Sequence, residues 1–124
     1  MLRGKAYGHV VTRNAGGSPQ VTMVWVDEDR GDLVFNTNMA RMKAVNLGRD
    51  PRVVVSVQDP AAPQQYLVVR GTAELETEGA WEHINRLSHR FSGRDYPRRD
   101  PPEERVLVRV RASRISGAGP WMQP

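Results

Sequence analysis

Six short β-type runs and two stretches with helical spacing divide the chain. Residues 6–12 (AYGHVVT) are a β-rich run ending in the turn signal Arg13-Asn14-Ala15-Gly16-Gly17-Ser18-Pro19. Residues 20–26 (QVTMVWV) are apolar and β-branched. Residues 27–32 (DEDRGD) read as a solvated acidic hairpin tip, and residues 33–37 as a third strand closing an antiparallel meander. The spacing then predicts a helix over residues 39–48, with Asn38 placed to cap it and Gly48 to end it. Residues 53–57 (VVVSV) form a near-continuous apolar strand, read as central and buried. Residues 65–75 alternate, with Leu67, Val69, Gly71, Ala73 and Leu75 facing inward. Trp81, Ile84, Leu87 and Phe91 form one apolar stripe on a second helix over residues 77–90, closed by Ser92-Gly93. A Pro-rich crossing leads to residues 105–111 (RVLVRVR), which read as a half-exposed strand, and then to a tail over about residues 113–124 with Trp121 near its end.

The order β-β-β-α-β-β-α-β with mostly short connections predicts a mainly β (α+β) protein, a six-stranded antiparallel barrel closed partly by two helices. A length of 124 residues predicts one domain over residues 1–124. Apolar content of 39% and aromatic content of 6% are low for a self-sufficient monomer, which makes oligomerisation an expectation. The absence of cysteine excludes disulfides and thiolate metal sites, and it fits a cytoplasmic protein without fixing the compartment. Neither a signal peptide nor an apolar membrane span is visible in the sequence.

Net charge is +4, carried by sixteen arginines and only Lys5 and Lys43 as lysines. Most of these side chains read as solvated. Lys43 is different: with Arg41 it falls on the first turn of a predicted helix, an end already made positive by free N–H groups and the helix dipole. Such an arrangement points to a bound anion, and phosphate is the usual one. Arg suits bidentate phosphate contact, Lys supplies a point charge, and Asn36 and Thr37 add neutral donors. The set suits a phosphate monoester or diester. Other motifs carry less. His83 and His89 lie six residues apart, which does not suit a helical metal pair, and His9, His83 and His89 all read as non-ligands. Tyr96 reads as a packing anchor. An RNA-binding barrel is disfavoured, because Tyr66 is the one obvious outward-facing strand aromatic and stacking platforms need more.

Several of these segments together resemble one known family. Residues 17–27 (GSPQVTMVWVD) look like the second-strand signature of the split β-barrel flavin and deazaflavin reductases, relatives of pyridoxine 5′-phosphate oxidase. Phe35-Asn36-Thr37, Arg41-Met42-Lys43, Asn46-Leu47 and Asp50-Pro51-Arg52-Val53 are similar to that family's phosphate-binding strand–helix–strand. Residues 70–75 (RGTAEL) match its next strand. Residues 90–97 (RFSGRDYP) resemble the branch that uses the deazaflavin coenzyme F420. The resemblance implies a homodimer with the cofactor at the subunit interface. It implies phosphate contacts from Arg41 and Lys43, with Met42, Asn36 and Thr37 in the same element, and Val21, Thr22 and Met23 against the ring system. Gln58 is a weaker carry-over. Pyridoxine phosphate oxidases carry Arg and Lys where this chain has Thr22 and Asp27, which favours the diester of F420 over FMN. The usual N-terminal cover helix is missing or replaced, and the tail through Trp121 is one substitute. The implied activity is an F420-dependent reductase delivering hydride to a conjugated small molecule such as an enone, quinone or tetrapyrrole. The rivals are an FMN oxidoreductase of the same fold and a non-catalytic F420 carrier.

Overall fold

The structure, a computed structural model, describes residues 2, 4–99 and 102–119. Trp121 lies outside them. The elements are β1 (Ala6–Arg13), β2 (Pro19–Asp29), β3 (Asp32–Asn38), α1 (Met42–Arg49), β4 (Arg52–Gln58), β5 (Tyr66–Glu76), α2 (Ala80–Ser92) and β6 (Arg105–Ala118). All strand pairs are antiparallel, and the sheet closes into a barrel in the order β1-β2-β3-β6-β5-β4. The expected mainly β, six-stranded antiparallel barrel with two helices is therefore the fold observed.

Alternation places one face of each strand inside. Val10, Val24, Val26, Phe35, Val55, Val57, Val69, Val108 and Val110 fill the interior. Leu47 of α1 joins the same cluster, so the short helix seals part of the barrel. Asn46 anchors it from the side, donating to Thr12 Oγ1 (3.1 Å) and Asn14 Oδ1 (3.0 Å). On the outer face, α2 lies across β3 and β6, where Val34, Leu107 and Ala80 form a second small cluster.

Three boundaries differ from the sequence reading for identifiable reasons. β2 runs on to Asp29, because Arg30 and Gly31 both take positive φ (51° and 86°) and make a two-residue turn between Asp29 and Asp32. β6 continues through Ala118 along β5, so residues 113–118 are strand rather than tail. Ser113 is the extra residue of a bulge there, opposite Arg70 and Gly71. A Cβ on Gly71 would lie 2.0 Å from the Arg111 carbonyl oxygen, so only glycine allows that approach. Finally, residues 105–110 are buried on both faces, not half exposed, because Leu107 packs with Ala80 of α2 while Arg105 and Arg109 are enclosed by their polar partners.

One irregularity positions the site. β2 pairs with β3 only from Val26 to Asp29, while its first half pairs with β1 alone. From Pro19 to Trp25 the edge of β2 facing β3 has no ladder partner among the described residues. The barrel is split along this line.

Candidate functional site

The opening beside that free edge is a groove of about 370 Å³. β2 contributes Thr22, Met23, Val24 and Trp25, and β3 contributes Asn36 and Thr37. Arg41 and Lys43 come from the start of α1, Ile84 and Leu87 from α2, and Tyr96 and Arg105 from the crossing and β6. Six of the residues singled out in the sequence thus meet here: Thr22, Met23, Asn36, Thr37, Arg41 and Lys43. Val21, Met42 and Gln58 are not among the lining residues. Val21 points to the opposite side of β2 from Thr22, Met42 faces outward from α1, and Gln58 donates to the Pro63 carbonyl (2.8 Å) beyond β4.

The helix entry is set by local chemistry. Asn38 Oδ1 accepts from the Ala40 N–H (3.0 Å), turning the chain before the helix instead of capping it. Arg41 is the N-cap, with extended backbone and no side-chain cap bond, and no acidic residue occupies the first turn. The positive end of α1 is therefore uncompensated within the described residues. Lys43, on that turn, is 8% exposed. Burial, then Arg41, then Arg105, push its ammonium pKa below the ordinary lysine value. Among the described residues Lys43 has neither a hydrogen-bond nor an ion-pair partner. No carboxylate lines the groove; its charged lining is Arg41, Lys43 and Arg105.

Arg105 is a groove-lining residue that the sequence reading did not single out. It is 9% exposed and held by Asn36 Oδ1 (2.9 Å from Nε) and Glu103 (2.9 Å from Nη1). Its guanidinium lies 4.9 Å from the Tyr96 ring centre. The alternation in residues 105–111 marked its face but gave no sign of the helix that covers it. Tyr96 is both anchor and wall: its N–H donates to Asn85 Oδ1 (2.8 Å), its ring meets Trp81 edge-on, and it lines the groove. At the other end of α2, Trp25 stacks on Phe91 (4.8 Å between centroids, 11° between planes).

Asp27 does not belong to a solvated hairpin tip. It is buried under α2, where it accepts from Arg90 Nη1 (2.8 Å) and faces His83. Two other acids of that hairpin, Asp29 and Asp32, converge on Arg109. No cluster of three or more potential metal ligands exists among the described residues. A larger cavity of about 520 Å³ is lined by Arg13, Arg52, Arg70, Ser113 and neighbours. Its Arg52 is already neutralised by Asp50 (2.7 Å), which is held down to about 2, and it contains no buried cation. The smaller groove is therefore the better anion site.

A closed antiparallel barrel with one strand detached along half its length, and a cationic groove in the opening, defines the split-barrel class. The chain belongs to the pyridoxamine 5′-phosphate oxidase family, matching it over residues 1–118. A solved structure named as an F420 reductase is 32% identical, with a TM-score of 0.81 over 93% of this chain and 92% of that one. A conserved hypothetical protein of Mycobacterium tuberculosis is 28% identical, with a TM-score of 0.69 over 90% and 75%. A putative pyridoxamine 5′-phosphate oxidase of Listeria innocua shares the fold at 21% identity, with a TM-score of 0.66 over 90% and 86%. No curated protein matches significantly. No helix among the described residues is long and apolar enough to cross a membrane.

Proposed function

We propose that the chain is an F420-dependent reductase, with the cofactor's phosphodiester held by Arg41, Lys43 and Arg105. The observation that carries this is Lys43, a buried cation surrounded by cations, on a helix start that opens into a groove. An anion there relieves all three repulsions at once. Thr22 Oγ1 supports the fit: it is buried without a hydrogen-bond partner and lines the same groove. The choice of F420 follows the 32% identical structure named as an F420 reductase.

When bound, reduced F420 supplies a hydride from its ring carbon to an electrophilic carbon of an acceptor. Arg41, Lys43 and Arg105 anchor the phosphate end. The free edge of β2 offers main-chain N–H groups to a ring system laid along it, where they stabilise negative charge on the ring. Ile84, Leu87, Trp25 and Tyr96 give the groove apolar walls that exclude water. No acid, base or nucleophile of this chain takes part. The acceptor is a flat conjugated small molecule of the enone, quinone or tetrapyrrole type, rather than nucleic acid or a membrane. Tyr7, Val21 and Met23 leave large apolar surface exposed on the outer face of β1 and β2. We assign that surface to a homodimer that completes the cofactor groove, in the cytoplasm.

FMN is the second reading. Asp27 lies outside the groove and Arg105, though paired with Glu103, adds a guanidinium to its lining, so a monoester dianion also fits. Fluorescence titration with F420 and with FMN separates the two. Submicromolar F420 binding is expected, weakened at least roughly a hundredfold in Arg41→Ala/Lys43→Ala. Tight FMN binding with none of F420 would sink the leading reading, and unchanged affinity in the double variant would remove the phosphate assignment. A turnover screen over quinones, enones and biliverdin distinguishes a reductase from a carrier.

A further inference from the structure

His83 stands at the end of the first turn of α2, 1% exposed, against the outer face of β3. One amide links it to the groove. Asn36 Nδ2 donates both to His83 Nδ1 (3.0 Å) and to the Ala80 carbonyl (2.8 Å), and Asn36 Oδ1 accepts from Arg105 Nε (2.9 Å). The amide orientation is thus fixed from both ends. A carbonyl can only accept and a guanidinium can only donate. His83 Nδ1 must then be the bare nitrogen, and the ring proton sits on Nε2. Nε2 faces Asp27 Oδ2 at 3.5 Å without a hydrogen bond, while Asp27 is committed to Arg90.

We propose that neutral His83 is a positioning residue for the groove: it fixes the Asn36 amide, and through it aims the Arg105 guanidinium at the bound anion. The proposal rests on the groove being an anion site. Protonation of His83 would set two N–H donors against each other across 3.0 Å. The amide cannot turn over in response, because its NH₂ would then meet Arg105 and its oxygen would meet the Ala80 carbonyl. Asp27 and Asp29 of β2, Arg86 and Arg90 of α2, and Arg105 of β6 are the charged groups around the ring. Burial is the largest influence and, with Arg86, holds the imidazole pKa below the ordinary value against the pull of Asp27 and Asp29. Neutral pH therefore leaves the device engaged, and acid releases Arg105.

The test uses the full chain and sulfate, whose charge is constant across the range. Two signals are followed between about pH 7.5 and pH 5: the Arg105 Nε–H resonance, and sulfate affinity by chemical-shift titration. In the wild type the resonance should be protected at the upper pH. It should be lost as His83 takes a proton, with sulfate binding falling roughly tenfold, the loss of about one hydrogen bond to a charged group. His83→Leu should show the released state at every pH. His83→Asn, whose Oδ1 stands where Nδ1 does and accepts from Asn36 without titrating, should keep the bond and the affinity throughout. If Arg105 in His83→Leu behaves as in the wild type, or if His83→Asn loses the resonance with acid as the wild type does, the positioning role is overturned. Wild type that binds no sulfate at any pH overturns the anion reading instead. The Arg105 resonance separates those two failures, and it remains readable in the wild type and His83→Asn if His83→Leu does not fold.

Discussion

Lys43 carries its charge at the expense of the fold. Its pKa is lowered by burial first and by Arg41 and Arg105 next. Below the folded pKa both folded and unfolded chains carry the proton, so the full cost of the buried charge is present there. Stability recovers only as pH rises through the folded pKa towards 10.5. Lys43→Met keeps the length and removes the charge. It should raise the ligand-free protein's stability by about 1 kcal/mol, within the range of gains made where function has been favoured over stability. Anion binding should fall sharply in the same variant, and thermal melts with and without cofactor read both effects. Lys43 was visible in the sequence because a lysine stands out among sixteen arginines. Arg105 was not, because one arginine in an alternating strand looks like any other until the element above it is known.

The hairpin of β2 and β3 makes the corresponding point for elements. Arg109, 2% exposed, binds Asp29 (2.6 Å), Asp32 (3.3 Å) and Glu76 (2.9 Å), tying three strands to β6. Arg109→Ala should cost about 2 kcal/mol in urea unfolding, below the loss for a fully buried network because its carboxylates are partly exposed. Hydrogen bonds from Arg109 hold the Asp29 and Glu76 carboxyls below their ordinary values. Their contribution is complete above about pH 5 and fades as pH drops through the folded pKa values, so the deficit of Arg109→Ala should shrink in acid. The sequence showed the two strands and the acidic run, yet read that run as solvated. The cation it serves lies about eighty residues further on, a distance that no local pattern spans. The strands themselves were legible because alternation is local. The helix starts were less so, since residues 39–41 and 77–79 became turns, with Arg41 and Gly79 as caps.

For the whole molecule, barrel closure depends on β1 reaching β4 (Tyr7–Val11 against Gln58–Val54) while α2 seals the β3–β6 side. His83 sits under that seal. Its folded pKa lies below 6.5, so the stability it confers is complete above about pH 6.5 and is lost as pH falls through the folded value. Wild-type protein should therefore lose melting temperature between about pH 6.5 and pH 5 by more than His83→Asn does, and parallel melts across that range measure the difference. The six-stranded plan could be read from element order and short turns. The split was implied only by the resemblance to the split β-barrel reductases and not by the alternation, because nothing in residues 19–25 says that β3 turns away from them. That split also has a consequence for handling the protein. A strand whose hydrogen-bonding edge is open from Pro19 to Trp25 is a template for any other extended chain, including another copy of itself. Under the proposed function, a ligand filling the groove would close that template, and ligand-free protein is expected to precipitate sooner on concentration.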